Sequence, residues 1–214
     1  MNEKPIIFSG EMVRAILDGR KTVTRRVINP QPEYQPHLCH WVTKGWAYGA
    51  VPNEYGVSGC TCKPVKGVTY LEGDLLWVRE AWSAFEISGY AGNMEYKEFP
   101  NIIYKADSTT RLILNKDIWK YVTDNLKWRP SIHMPRWASR LALRVVNVRA
   151  ERLQEIDEMD AINEGAWDGS SYTIDPLYPH WHCFKKLWDA INAKRGHSWD
   201  SNPWVWRIEF EVAQ

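Results

Sequence analysis

The segment 204–212 constrains the fold more than any other part of the chain. Trp204, Trp206, Ile208, Phe210 and Val212 occupy every second position, and polar or charged residues fill most of the positions between them. Successive side chains of a β-strand point to opposite faces of a sheet, so this alternation predicts a strand that packs one face on the core. A chain that contains this segment must build a sheet with an apolar layer against it.

The remaining elements are strands and helices in no regular βαβ repeat. Strands are predicted at 6–8, 20–27, 75–78, 102–104 and 141–148, the last with a change of phase after residue 145 that suggests a bulge. Helices are predicted after Ser9, near 115–126, after Asp157 and over 180–194, and three of them are followed by glycines at 19, 165 and 196.

Two long stretches, at about 29–74 and 83–137, show no sustained period and are expected to be insertions, the first of them irregular. Strands open, fill and close the chain. The order of elements predicts an α+β fold, a small β-barrel decorated by helices and long loop insertions, as a single domain over residues 1–214.

The charge of the chain is almost balanced, with 27 Lys and Arg against 26 Asp and Glu. A net charge of +1 argues against a highly charged disordered protein and against a strongly basic coat for nucleic acid. No apolar run approaches the roughly 18 residues of a membrane span, and the start MNEKP lacks the apolar core of a signal peptide. We therefore expect a cytoplasmic protein with no membrane partner.

Tryptophan is unusually frequent, with 13 residues among 214. Its large ring suits the core and rim of a small barrel, and it equally suits a surface that stacks on bases or sugars.

The segment Gly19–Arg26 is the strongest candidate for a functional site. It holds four cations and two threonine hydroxyls directly after a predicted helix. Such a segment also fits a solvated edge or a phosphate-binding surface. The sequence lacks G-x-S-x-G, P-loop, G-x-G-x-x-G and H-E-x-x-H motifs, which disfavours serine hydrolases, P-loop nucleotide hydrolases, dinucleotide-dependent dehydrogenases and zinc hydrolases of that type.

This segment resembles the hallmark of ASCH domains, relatives of the PUA RNA-binding barrel. The hallmark is a helix that ends in G-x-K-x-x-T-x-R, matched here by Gly19, Lys21, Thr24 and Arg26. The resemblance extends to the 73–74 turn and to 153–165. It is greatest to the longer ASCH proteins of phages and prophages, which carry stretches similar to 77–80, 130–140 and 202–206. It implies a PUA-like barrel.

Some small bacterial ASCH proteins are amidohydrolases that remove the acyl group from N4-acylated cytidines. Their working residues are a Lys and a Thr of the hallmark and a Glu near the end of a later helix, which correspond here to Lys21, Thr24 and Glu164. The resemblance thus implies an amidohydrolase with Thr24 as nucleophile, Lys21 as general base and Glu164 as acid/base.

The chemistry of these three residues is coherent. A threonine attacks an amide only if a base takes its proton, and a lysine serves as that base only if its pKa is lowered. The neighbouring cations Arg20, Arg25 and Arg26 are expected to lower it. Positions three apart in a regular strand face opposite sides, so Lys21 must lie in the turn after Gly19 for its side chain to meet Thr24.

Substrate contacts are predicted for Arg20 and Arg26, and for Trp77, Arg79 and Glu80 at the end of a central strand. The last three fit the wall of the same cleft, and they fit equally well a core position and a salt bridge.

A different function remains open, that of a non-catalytic module binding RNA, DNA or a modified base, or of a ribonuclease on the same fold. Arginines recur between residues 129 and 152, interleaved with Trp128 and Trp137. Such mixtures suit phosphate contact and base stacking. The balanced charge favours a base-sized pocket over a long nucleic-acid track.

Cysteine and histidine cluster in the first long stretch. Cys39, His40, Cys60 and Cys62 form a candidate structural zinc site, with His37 nearby, although C-x-C spacing is less usual than C-x-x-C. No other cofactor is expected. A second group, His180, His182 and Cys183, is expected to pack as ordinary side chains.

Overall fold

The protein has a mixed α/β fold that contains a five-stranded sheet. The computed structural model describes residues 2–35, 40–43, 46–48, 52–53, 56–57, 70–85, 88–91, 94–97, 101–106, 127–166 and 177–213. The strands within them are β1 (Glu3–Ile7), β2 (Val23–Val27), β3 (Glu33–Gln35), β4 (His40–Thr43), β5 (Trp46–Tyr48), β6 (Pro52–Asn53), β7 (Gly56–Val57), β8 (Leu75–Arg79), β9 (Trp82–Phe85), β10 (Ser88–Ala91), β11 (Met94–Lys97), β12 (Asn101–Tyr104), β13 (Ala142–Arg152) and β14 (Trp204–Val212). The helices are α1 (Gly10–Leu17), α2 (Glu158–Asn163) and α3 (Pro179–Asn192).

The helix ends follow from local capping chemistry, as predicted. Ser9 accepts a hydrogen bond from the backbone N–H of Met12 at 3.3 Å, and Asp157 accepts one from Asp160 at 2.7 Å. Gly19, Gly165 and Gly196 follow the three helices with φ values of 72°, 69° and 83°, a region that favours glycine. Among the described helices, none is both long and apolar enough to cross a membrane.

The five-stranded sheet has the order β1-β8-β13-β14-β2. β1 runs parallel to β8, whereas β2 runs antiparallel to β14, with Thr24 opposite Ile208. The strand predicted from the 204–212 alternation is confirmed as β14. The expectation of a single packed face is wrong: Val205 and Arg207 are buried together with their neighbours, because both faces of this half of the strand are covered. Val212 is half exposed.

The chain divides into two compact units, each built from separate segments. The first comprises 19–74 and 144–211, and the second comprises 2–18, 75–143 and the C-terminal residues from 212. The core of the first unit includes a cluster formed by Leu153, Ile156, Ala161, Ala166, Cys183, Phe184, Trp188, Trp199 and Val205. A core cluster of the second unit contains Trp82, Ile102, Tyr104, Met134 and Ala138.

The stretch 29–74 is not irregular throughout, which corrects the prediction. It contains β3, β4 and β5 in a three-stranded antiparallel sheet, and β6 paired with β7. The stretch 83–137 likewise contains β10 paired with β11, and β12 paired with β9. Short hairpins between neighbouring strands leave little periodic signal, which is why the sequence pattern missed them. The helix predicted near 115–126 lies outside the described residues.

Candidate active site

Lys21 precedes strand β2 and pairs with Glu164. The chain leaves α1 through Gly19, and Lys21 forms an isolated antiparallel bridge with Glu164 at the end of α2. The N–H of Thr22 donates to the carbonyl oxygen of Asn163 at 2.9 Å and continues this contact. Strand β2 then begins at Val23, so Lys21 lies outside the regular strand, as a meeting with Thr24 requires.

The ammonium group of Lys21 is buried and donates hydrogen bonds to three oxygen atoms. Nζ donates to the carbonyl oxygen of Val23 at 2.7 Å, to that of Glu164 at 2.8 Å and to Oε2 of Glu164 at 2.7 Å. The Lys21 side chain is 0% exposed and the Glu164 side chain 4%. Two residues 143 positions apart thus form a buried ion pair.

The pKa of Lys21 is lowered from its ordinary value. Burial is the largest cause, because it disfavours the charged form, and the nearby Glu164 carboxylate opposes this effect. Arg26 and Arg25 lower the pKa further. The expected effect of neighbouring cations is therefore present, but burial exceeds it. Arg20, the third expected cation, is exposed on the surface.

Thr24 lies on β2 with 3% of its surface exposed. It is one residue beyond Val23, whose carbonyl oxygen accepts a hydrogen bond from Lys21. The structure therefore brings Lys21 and Glu164 into direct contact. Thr24 is buried on β2, and a contact of its hydroxyl with either residue stays a prediction.

Arg25 lies at the centre of the cluster. From the sequence, it was expected only to add positive charge near Lys21. Its guanidinium is 0% exposed and donates to Glu151 through Nε at 2.7 Å and to Oε1 of Glu164 through Nη1 at 3.3 Å, and its Nη2 contacts Asp160. Glu164 therefore divides its two carboxylate oxygens between Arg25 and Lys21.

The cluster extends to residues that the sequence did not single out. Asp160 also accepts a hydrogen bond from Arg207 on β14 at 2.9 Å, and Glu151 accepts one from Arg149 at 2.8 Å. Asp160 and Glu164 are four residues apart along α2, a spacing that places side chains on one helix face and would have suggested this pair. Nothing in the sequence pattern marks Glu151 or Arg207.

Arg26 is half buried beside this cluster. Burial lowers its pKa, Tyr70 and Glu164 oppose that change, and Arg195 adds to it. The pKa of Tyr70 is raised by burial. Tyr70 and Arg195 are therefore neighbours of Arg26 that sequence reasoning missed.

Trp77, Arg79 and Glu80 belong to the second compact unit. Trp77 is buried, and the Arg79 guanidinium lies 4.6 Å from the centre of its ring. Glu80 is 1% exposed and binds Arg140 through two hydrogen bonds of 2.8 and 3.0 Å. Trp77 thus occupies a core position, and Glu80 forms a salt bridge. Contact of these residues with substrate stays a prediction.

The candidate zinc site cannot be located in the described part of the chain. Cys39, Cys60 and Cys62 lie outside it, and His40 is described only as a residue of β4. Among the described residues, no group of three or more His, Cys, Asp or Glu side chains could hold a metal ion. His180 contacts Glu158, and Cys183 is buried in the first unit's core.

Comparisons of the chain with models of protein families, with curated proteins and with solved structures find no match.

Replacing Arg25 should destabilise the protein strongly. Arg25→Met removes a cation from three carboxylates, and loss of one partner of a buried ion pair typically costs about 3–5 kcal/mol of unfolding free energy. Urea denaturation measures the change. Arg20→Met is the matched control, because Arg20 is exposed in the same segment, and should change stability by no more than about 1 kcal/mol, the upper range for an exposed charge. Equal effects of the two substitutions would contradict the central role of Arg25.

Asp160 should make stability depend on acid pH. Burial raises its pKa, but the hydrogen bond from Arg207 and the charge of Arg25 outweigh burial and hold the pKa below its ordinary value. The unfolded chain therefore binds a proton before the folded one, so the stabilisation is present above about pH 4 and is lost as pH falls through the folded pKa.

The variant Asp160→Asn should show a smaller loss of stability between about pH 4 and pH 2 than the parent protein. Urea denaturation across that range measures both slopes. Asp200→Asn, at an exposed position, is the control and should keep the parent slope. A parent-like slope in Asp160→Asn would show that other carboxyls carry the acid sensitivity.

Proposed function

We propose that the protein is an amidohydrolase that removes an acyl group from the N4 nitrogen of a modified cytidine. Thr24 is the nucleophile, Lys21 the general base and Glu164 the acid/base residue. The proposal includes a single ASCH domain of PUA-like barrel type over residues 1–214, of which the five-stranded sheet would form part. The observation that carries it is the buried contact of 2.7 Å between Lys21 and Glu164.

The buried cluster can supply a neutral lysine without changing its net charge. Lys21, Arg25 and Arg207 bring three cations against the carboxylates of Glu151, Asp160 and Glu164. Transfer of one proton from Nζ of Lys21 to Oε2 of Glu164 leaves two cations and two carboxylates. The lowered pKa of Lys21, of which burial is the largest cause, supports a neutral lysine in this step.

The proposed reaction then has two stages. Neutral Lys21 takes the proton of the Thr24 hydroxyl, and Oγ1 attacks the acyl carbon. The bond from that carbon to N4 breaks, N4 receives the proton held by Glu164, and cytidine leaves. Water then hydrolyses the acyl-threonine ester, which releases the carboxylic acid and restores the Thr24 hydroxyl.

Access to Thr24 requires a local rearrangement. Lys21, Thr24 and Glu164 are each less than 5% exposed. Arg26 is half buried and interacts electrostatically with both Glu164 and Tyr70, so its displacement is the movement proposed to open the site. A half-buried guanidinium there also suits contact with the carbonyl or phosphate oxygens of a nucleoside or nucleotide.

Thr24→Ala should abolish turnover of N4-acylcytidines while the protein stays folded. Loss of a nucleophile costs at least about a thousandfold in kcat, and loss of a general base costs about a hundredfold to ten-thousandfold, which is expected for Lys21→Met. Release of cytidine is followed by the change in ultraviolet absorbance, and thermal unfolding checks folding.

Thr22→Ala is the matched control, because Thr22 is an exposed threonine two positions away, and it should retain full activity. Absence of turnover by the parent protein across acetyl, propionyl and benzoyl substrates would overturn the proposal. Equal activity of the two threonine variants would overturn the role of Thr24 alone.

A second candidate, binding of single-stranded nucleic acid, is favoured by a surface of the second unit. Trp137 is 62% exposed, and its ring meets the buried Trp82 edge-on at 5.9 Å. Arg129 and Arg136 are exposed, and the Arg129 guanidinium lies 5.0 Å from the centre of the Trp82 ring. An exposed indole near guanidinium groups suits base stacking with phosphate contact.

Trp137→Ala should weaken binding of a labelled single-stranded RNA about tenfold, since stacking on an aromatic side chain contributes about 1–3 kcal/mol. Fluorescence anisotropy at low salt measures the affinity. Ile132→Ala, at an exposed apolar position without a ring, should leave it unchanged. A parent protein that binds no RNA at low salt would eliminate this candidate.

A further inference from the structure

A cavity of about 420 Å³ lies in the first compact unit, where the start of α2 faces the first turn of α3. Its described lining consists of Ile156, Asp157, Glu158, Tyr178, Trp181 and His182. None of these residues takes part in the amide hydrolysis proposed above. The lining combines three aromatic rings with two carboxyl groups, and this combination decides what the cavity can hold.

Glu158 provides a fixed negative charge at the wall. Its Oε1 accepts a hydrogen bond from the backbone N–H of His180 at 2.9 Å and contacts Nδ1 of that ring at 2.7 Å, and its Oε2 accepts from the N–H of Trp181 at 2.9 Å. Burial raises the pKa of Glu158, but these hydrogen bonds outweigh it and hold the pKa below the ordinary value. The carboxylate is therefore ionised at neutral pH.

Asp157 provides a second carboxylate on the same wall. It is exposed and caps α2 by accepting a hydrogen bond from the N–H of Asp160 at 2.7 Å. Two carboxylates disfavour an anion in the cavity.

The aromatic side chains offer ring faces and edges for contact with a cation. Trp181 packs edge-on against His182 and against Trp199, with 4.9 Å between ring centres in each pair. Nζ of Lys185 already lies 5.9 Å from the centre of the Trp181 ring. Lys185 therefore occupies one approach to the Trp181 ring, and a ligand cation must contact the part of the ring that lines the cavity.

The hydrogen bonds already made by Glu158 favour one kind of cation. A primary ammonium brings three N–H donors that each need an acceptor, and the Glu158 oxygens, which already hold three contacts, leave little room for them. A quaternary ammonium has no N–H donor, is weakly hydrated and needs only negative charge and aromatic or apolar surface. We propose that this cavity binds a quaternary ammonium group.

Choline and its uncharged carbon isostere, dimethylbutanol, test the charge requirement directly. The two probes have nearly the same shape, so their affinities differ through the cation. Isothermal titration of the full chain should give choline a dissociation constant about tenfold lower than that of the isostere, within the range of cation–π contributions. Equal affinities, or no heat of binding for choline, would overturn the proposal.

Asp157→Asn tests the site without removing the helix cap, because asparagine caps helices as well as aspartate does. Choline affinity should fall about threefold or more, and that of the isostere should stay the same. Asp200→Asn removes an exposed aspartate outside the lining and should affect neither probe.

Trp181→Leu should lose choline binding about tenfold, whereas Trp181→Phe, which keeps a ring, should lose less. Retention of parent affinity in Trp181→Leu would refute the aromatic contact. These measurements require no turnover of acylcytidine, so failure of the amidohydrolase proposal leaves them unaffected.

Discussion

The buried guanidinium of Arg25 joins parts of the chain that are distant in sequence. Its nitrogens contact carboxylates from the end of β13, from α2 and from the residue that follows α2. A charge in such an enclosed place is tolerated only when it is paired, so β2, β13 and α2 must hold their positions together. The orientation of Glu164 toward Lys21 depends on this arrangement, since one oxygen of Glu164 is held by Arg25.

Burying such a cluster costs desolvation free energy for every charged group in it. Well-packed apolar side chains of similar volume are often equal to or better than a buried ion network for stability. The buried ion pairs favour one register of β2, because any other register would move Lys21 and Arg25 away from these carboxylates. The proposed chemistry depends on the same arrangement, because it requires a proton to move between Lys21 and Glu164.

Features determined by neighbouring residues could be predicted from the sequence. Ser9, Asp157 and the three glycines delimit the helices because capping involves atoms only a few residues apart. The strand at 204–212 was predictable from its alternation. The hairpins within 29–74 were missed because strands of two to four residues carry little periodic signal.

Only some of the long-range contacts could be predicted from the sequence. The family resemblance assigned Lys21 and Glu164 to one site but did not predict the ion pair between them. α2 presents Asp160 one turn before Glu164, as helical spacing requires. No local pattern relates Arg25 to Glu151 or Asp160 to Arg207, because their proximity depends on how β2, β13 and β14 are arranged. Contacts between buried charged residues of different strands are therefore the ones that a single sequence predicts least well.

The position of β14 beside β2 has a consequence for the order in which the chain can fold during synthesis. β2 emerges from the ribosome early, but its partner strand consists of residues 204–212, and the carboxylates for Arg25 follow only between 151 and 164. Until then β2 lacks its partner strand and Arg25 lacks its carboxylates. Pairings of this sequence separation form slowly, so the β2–β14 ladder and the Arg25 cluster can be completed only after residues 204–212 have been synthesised.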